Sequence, residues 1–142
     1  DEEKAAKPMI RVTYSRPQKK GRKVFGELQK YGEVWRAGAN ENTEVMFFED
    51  VKFGGETLKA GRYALFVLVG EKEWEIHLSN DLDRWGHYAF DPAKSTVAKM
   101  KVSTEKTPDT IEAFSITFKK VDNGAHMLMG WDDTMVRVPF EF

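Results

Sequence analysis

The chain contains no cysteine, which removes thiolate nucleophiles, cysteine-ligated zinc, iron–sulfur clusters and disulfides together. Histidine is scarce: His77, His87 and His126 are all there is, and none stands in an HxH, HxxxH or HExxH spacing. There is no P-loop, no dinucleotide fingerprint and no GxSxG elbow. Long apolar runs are missing too. The longest covers residues 64–69, well short of the roughly 20 residues a membrane-spanning helix needs. Nor is there an excess of either charge: 22 Lys and Arg against 23 Asp and Glu leave a net charge of −1, so no general field draws nucleic acid or an anionic membrane. No window of about twelve residues carries an amphipathic helical stripe. No cofactor and no metal is expected from any local pattern; Asn80-Asp81-Leu82-Asp83 lacks the rest of a calcium loop.

What is present is short, alternating and rich in turns. The 142 residues suit one domain, with 41% hydrophobic and 32% charged side chains. Residues 1–8 read as a flexible polar leader, as a trimmed chain or one that has lost a signal segment would have, and 9–142 as a single domain. Over 9–16, Ile10, Val12 and Tyr14 alternate with Arg11 and Thr13, until Pro17 stops the strand. A basic run follows (Arg16, Lys19, Lys20, Arg22, Lys23), read as a solvated turn or, more sharply, as an anion-binding rim. Residues 24–26 resume a short strand. Residues 43–48 are apolar on both sides, as in an interior strand covered on both faces. Gly54-Gly55 offers a tight hairpin, and 62–69 is the strongest strand of all. Trp74, Ile76 and Leu78 point inward from the next strand, leaving His77 with Glu75 and Ser79 on an outer, solvated face.

Residues 79–95 form the longest interruption, with a helical turn near 91–95 capped by Asp91 and started by Pro92. Four strand signals close the chain, around Ala98–Val102, 114–119, 125–131 and 135–142, and Asn123-Gly124 signals a type I′ turn. Pro139 favours an edge position. About eight to ten short strands at this spacing predict an all-β antiparallel sandwich, jelly-roll or immunoglobulin-like.

The ordered cluster Tyr14-Ser15-Arg16-Pro17, Gly21-Arg22, Phe25-Gly26, Gly32, Trp35-Arg36, Gly38-Ala39-Asn40 and Thr43 resembles the signature of domain-of-unknown-function family 2911. Gly55, Ala60-Gly61-Arg62-Tyr63, Trp74, Trp85-Gly86 and Trp131-Asp132 fit the same pattern, so the resemblance runs from about residue 9 to the end. It implies a bacterial protein, often exported, hence periplasmic or secreted. It transfers no activity.

The best candidate constellation is Ser15, Arg16, Trp35, Arg36, Asn40, Glu41 and Thr43. Arginine forks suit carboxylate, phosphate or sulfate, while amide and hydroxyl groups suit a sugar. The plainer reading makes Trp35 core, Asn40 a turn residue and Arg36 half of an ion pair. A second candidate is the Trp85, His87, Tyr88 loop, either a stacking platform for a sugar ring or aromatics folded back to pin the loop. The favoured expectation is a non-catalytic module binding a small polar ligand or glycan, without nucleic acid and without a membrane span. A structural or protein-interaction domain ranks second. A sugar or ester hydrolase using carboxylates or His87 ranks third.

Overall fold

The computed structural model describes residues 9–39, 42–80, 82 and 95–142. The leader and all but the last residue of the helical turn expected near 91–95 lie outside these. Among the described residues every regular element is a strand: β1 (Ile10–Thr13), β2 (Val34–Trp35), β3 (Thr43–Phe47), β4 (Val51–Phe53), β5 (Glu56–Leu58), β6 (Gly61–Leu68), β7 (Glu73–Ser79), β8 (Thr96–Val121) and β9 (Gly124–Glu141). All pair antiparallel in one nine-stranded sheet of order β1-β3-β6-β7-β8-β9-β4-β5, with β2 beside β6. The four closing strand signals are thus two long strands. The first part of β8 pairs with β7, from Glu73↔Ser103 to Ser79↔Thr96. Its remainder pairs with β9, from Thr104↔Val136 to Val121↔Gly124, through irregularities around Ile111.

Because β8 serves both ladders, the sheet folds back on itself and rings from its two halves meet. Phe47 of β3 lies 5.2 Å from Phe140 of β9, and Trp35 of β2 lies 4.9 Å from Phe114 of β8. Trp35 sits at the centre of an aromatic cluster, 5.5 Å from Phe25, 5.7 Å from Trp74 and stacked 5.9 Å from Trp131. Each such ring removes apolar area from water worth about 1.5–3 kcal/mol. Trp74, Ile76 and Leu78 are fully buried in this core, as their alternation predicts.

The turns follow the glycines, once as expected and once not. Gly54 and Gly55 take φ values of 58° and 84° between the partners Phe53 and Glu56, the left-handed pair a two-residue hairpin needs. At the β8–β9 turn, Val121 pairs with Gly124, so Asp122 and Asn123 form the loop. Neither they nor Gly124 has a positive φ, so the expected type I′ turn is absent. Gly124 is needed for another reason: a Cβ there would lie 1.9 Å from the Phe140 carbonyl oxygen. β9 bends at Asp132, φ 57°, and its far end returns to this turn, where the Phe142 amide donates to the Asn123 carbonyl.

Several expectations need correction. Residues 24–26 are not a strand; the loop closes on itself as the Gly26 amide donates to the Gln29 carbonyl and the Gln29 amide donates to the Val24 carbonyl. In β3 only Thr43, Val45 and Phe47 are buried, while Glu44 and Met46 are half-exposed, so one face is covered. By strand order β9 is interior. Pro139 is tolerated because it falls between Val136, the last residue paired to β8, and Glu141, paired to β4. His77 is not solvated: it does share the outer face with Glu75 and Ser79, but it is only 5% exposed.

Candidate functional site

The basic run is neither a loose turn nor a bare anion rim. Arg16 donates from Nε to the Phe114 carbonyl and from its terminal nitrogen to Ser115 Oγ, at 3.1 and 2.9 Å. Arg22 donates to the Lys19 and Gln18 carbonyls, both at 2.8 Å. Lys19 pairs with Asp132 at 3.7 Å, and the same carboxylate accepts from the Val24 amide. The run is therefore stitched onto β8 and the bend of β9.

Within the central stretch, Trp35 is 4% exposed and its indole donates to the Gly38 carbonyl at 3.1 Å. Thr43 is buried, its hydroxyl donating to the Ala37 carbonyl at 2.6 Å. The Ser15 main chain packs so closely that a Cβ on Gly38 would meet its carbonyl oxygen at 3.2 Å. Ser15, Trp35 and Thr43 are thus brought together as a self-bonded corner. Arg36 instead lines an open cleft of about 390 Å³, with Arg22, Gln29, Pro17 and the rings of Trp35 and Trp131 on its wall. Asn40, Glu41, Trp85, His87 and Tyr88 lie outside the described residues. The Asn42 carboxamide is buried with neither its oxygen nor its nitrogen hydrogen-bonded.

The outer face of β7 holds a second constellation, which residue-by-residue reading missed. Alternation puts Glu75 and His77 side by side, and the irregularity at Ser79 brings Thr96 to them. His77 Nε2 lies 2.8 Å from Glu75 Oε1, and Nδ1 lies 2.9 Å from Thr96 Oγ1. A carboxylate only accepts, so Nε2–H donates to Glu75, and Nδ1 is left paired with the Thr96 hydroxyl, which can donate or accept. All three line a cavity of about 710 Å³, together with Val34, Leu68, Val97 and Lys99. A clue lay in the Glu75/His77 spacing. The contribution of Thr96 was not legible, because a long interruption separates it from β7.

A third, smaller cavity of about 320 Å³ is walled by Lys23, Lys72, Lys106, Asp133 and Trp74, whose Nε1 has no acceptor. Burial works to raise the Asp133 carboxyl, but bonds from Thr134 and Lys106 outweigh it and hold the group below its ordinary value. Among the described residues no cluster of three or more His, Asp or Glu is placed to hold a metal ion, and no helix is long and apolar enough to cross a membrane.

Fold and site together define an all-β antiparallel domain with an arginine-lined cleft at one corner and a larger cavity on the outer face of its sheet. The chain belongs to DUF2911, a family described as a protein of unknown function, whose model matches residues 2–140. No curated protein and no solved structure matches it.

Proposed function

We propose that the protein acts in the periplasm or outside the cell and that its arginine-lined cleft is a non-catalytic binding site for a small polar or carbohydrate-like ligand that carries an acidic group. One observation carries this reading: Arg22, Arg36 and Gln29 share a cleft of about 390 Å³ with the rings of Trp35 and Trp131. The two guanidinium groups place positive charge beside the cleft, which suits a carboxylate or phosphate, and the Gln29 amide suits a hydroxylated body. The folded-back sheet is read as a β-sandwich of the jelly-roll or immunoglobulin-like kind, a reading supported by the ring contacts between its halves. A protein-interaction role has less to stand on. The edge strands β1 and β5 are short, and the exposed Leu28, Phe48, Phe118 and Phe142 sit on separate elements.

The test is a thermal-shift screen with neutral sugars, sugar acids such as glucuronate, and inorganic phosphate, followed by titration of any hit. Sugar acids are expected to raise the melting temperature, and Arg36→Ala to weaken their binding about tenfold or more, the worth of a charge-assisted bond. No shift with any of these compounds, or full binding by both Arg36→Ala and Arg22→Ala, sinks the reading.

A further inference from the structure

Among the described residues the outer-face cavity shares no lining residue with the arginine cleft, and its chemistry is different. His77 is buried, yet both ring nitrogens are engaged by groups that can donate or stabilise a proton: Thr96 on one side and Glu75 on the other. Hydroxyl, imidazole and carboxylate in one hydrogen-bonded line form a nucleophile, a base and an orienting group. Lys99 stands directly opposite His77 in the β7–β8 register and lines the same cavity, which puts an ammonium on its wall. Leu68 and Val97 are large apolar side chains left 36% and 39% exposed, and they too border this space along with Val34.

We infer that Thr96, His77 and Glu75 form an acyl-transfer site that hydrolyses short-chain carboxylic esters. The acyl chain lies against Leu68, Val97 and Val34. Thr96 Oγ attacks the ester carbonyl carbon as its proton passes to His77 Nδ1. The bond from that carbon to the alcohol oxygen then breaks, and the departing oxygen takes the proton from Nδ1. Water attacks the resulting Thr96 ester, giving one proton to Nδ1. That proton moves on to Thr96 Oγ as the carboxylic acid leaves, and the site returns to its starting state. Glu75 keeps its bond to Nε2–H throughout, steadying the imidazolium, and the Lys99 ammonium offers positive charge for the developing oxyanion. Thr96 and His77 are the catalytic residues; Glu75 is a positioning residue.

The experiment is hydrolysis of p-nitrophenyl butyrate by the full chain, with acyl adducts trapped by acid quench and mapped by peptide mass spectrometry. Saturable turnover is expected, with the butyryl group on Thr96. T96V should lose on the order of 10² to 10⁴ in kcat, while T96S, which keeps the hydroxyl, restores most of the activity. E75Q should lower kcat with little change in KM, a split that a loss of packing alone would not give. A wild-type rate no higher than buffer, equal rates in wild type and T96V, or an adduct found only on lysines would overturn the assignment. Should T96V fail to fold by circular dichroism, the adduct's position in the wild-type chain decides: on Thr96 it upholds the site, on lysine it removes it.

Discussion

The two faces of β7 are both buried, but by opposite means. Inward, Trp74, Ile76 and Leu78 enter an aromatic and aliphatic core in which their polar content is a single indole nitrogen. Outward, Glu75, His77 and Ser79 alternate with them, and His77 and Ser79 are as inaccessible as core residues. On the first face burial is stabilising in itself, through area removed from water. On the second it is tolerable because the buried imidazole of His77 is matched by Glu75 and Thr96. A strand polar on one face and covered there is an unusual investment, and it marks the outer face as the more informative half of the molecule.

The sharpest way to break this comparison is truncation on each side. Trp74→Ala is expected to cost roughly 3–5 kcal/mol, measured by urea or thermal unfolding. Phe66→Ala, on the outer face opposite His77, should cost the same if that face is covered as tightly as its full burial indicates. A loss of under about 1 kcal/mol for Phe66→Ala, beside a large one for Trp74→Ala, would make the outer cover loose and reduce the contrast to one real core and one shielded surface. Next in size is His77→Leu, which fits an apolar side chain but strands Glu75 and Thr96. About 1–3 kcal/mol is expected. A stabilised His77→Leu would mean that the outer polar line contributes nothing to holding β7 against β8.

Alternation made the strands legible, and with them the inward set of β7, the Gly54-Gly55 hairpin and the all-β antiparallel class. It also grouped Glu75, His77 and Ser79 correctly. What period two cannot tell is whether the polar side is wet or covered, since that depends on chain far away in sequence; His77 was misread for this reason. Strand continuity was equally hidden. The bends at Ile111 and Asp132 look like breaks in sequence, while the ladder runs through them. In the central stretch, Trp35 and Thr43 proved to be partners of the nearby Gly38 and Ala37 carbonyls, so their ordered recurrence encodes a corner of the fold. Arg36 and Trp35 of that group line a cleft with Arg22, a neighbour supplied by a separate loop.

The corner itself gives a smaller test. Thr43→Val keeps the shape and removes the hydroxyl donor to the buried Ala37 carbonyl, with an expected loss of about 1–2 kcal/mol by chemical denaturation. If the loss is instead near zero, the corner is held by Trp35 and Gly38 alone, and the signature is less a folding device than its hydrogen bonds indicate.

The smallest effect belongs to Asp133, at the rim of the third cavity. Its carboxyl is depressed below the ordinary value of 3.8 by Thr134 and Lys106 in spite of partial burial. A depressed carboxyl contributes stability above its unfolded pKa and loses that contribution as pH falls through its folded value. Asp133→Asn should therefore melt below wild type at neutral pH and converge with it in acid, once the native carboxyl is protonated. The pair with Lys106 is open to water, with side chains 53% and 80% exposed, so the neutral-pH difference should stay under about 1 kcal/mol and shrink in salt. A difference that persisted unchanged in acid would assign the effect to the Thr134 hydroxyl rather than to charge. A difference of several kcal/mol would mean that this cavity is more enclosed than either of its charged walls indicates, and would set it beside the outer face as a second place where burial is held by matched polar groups.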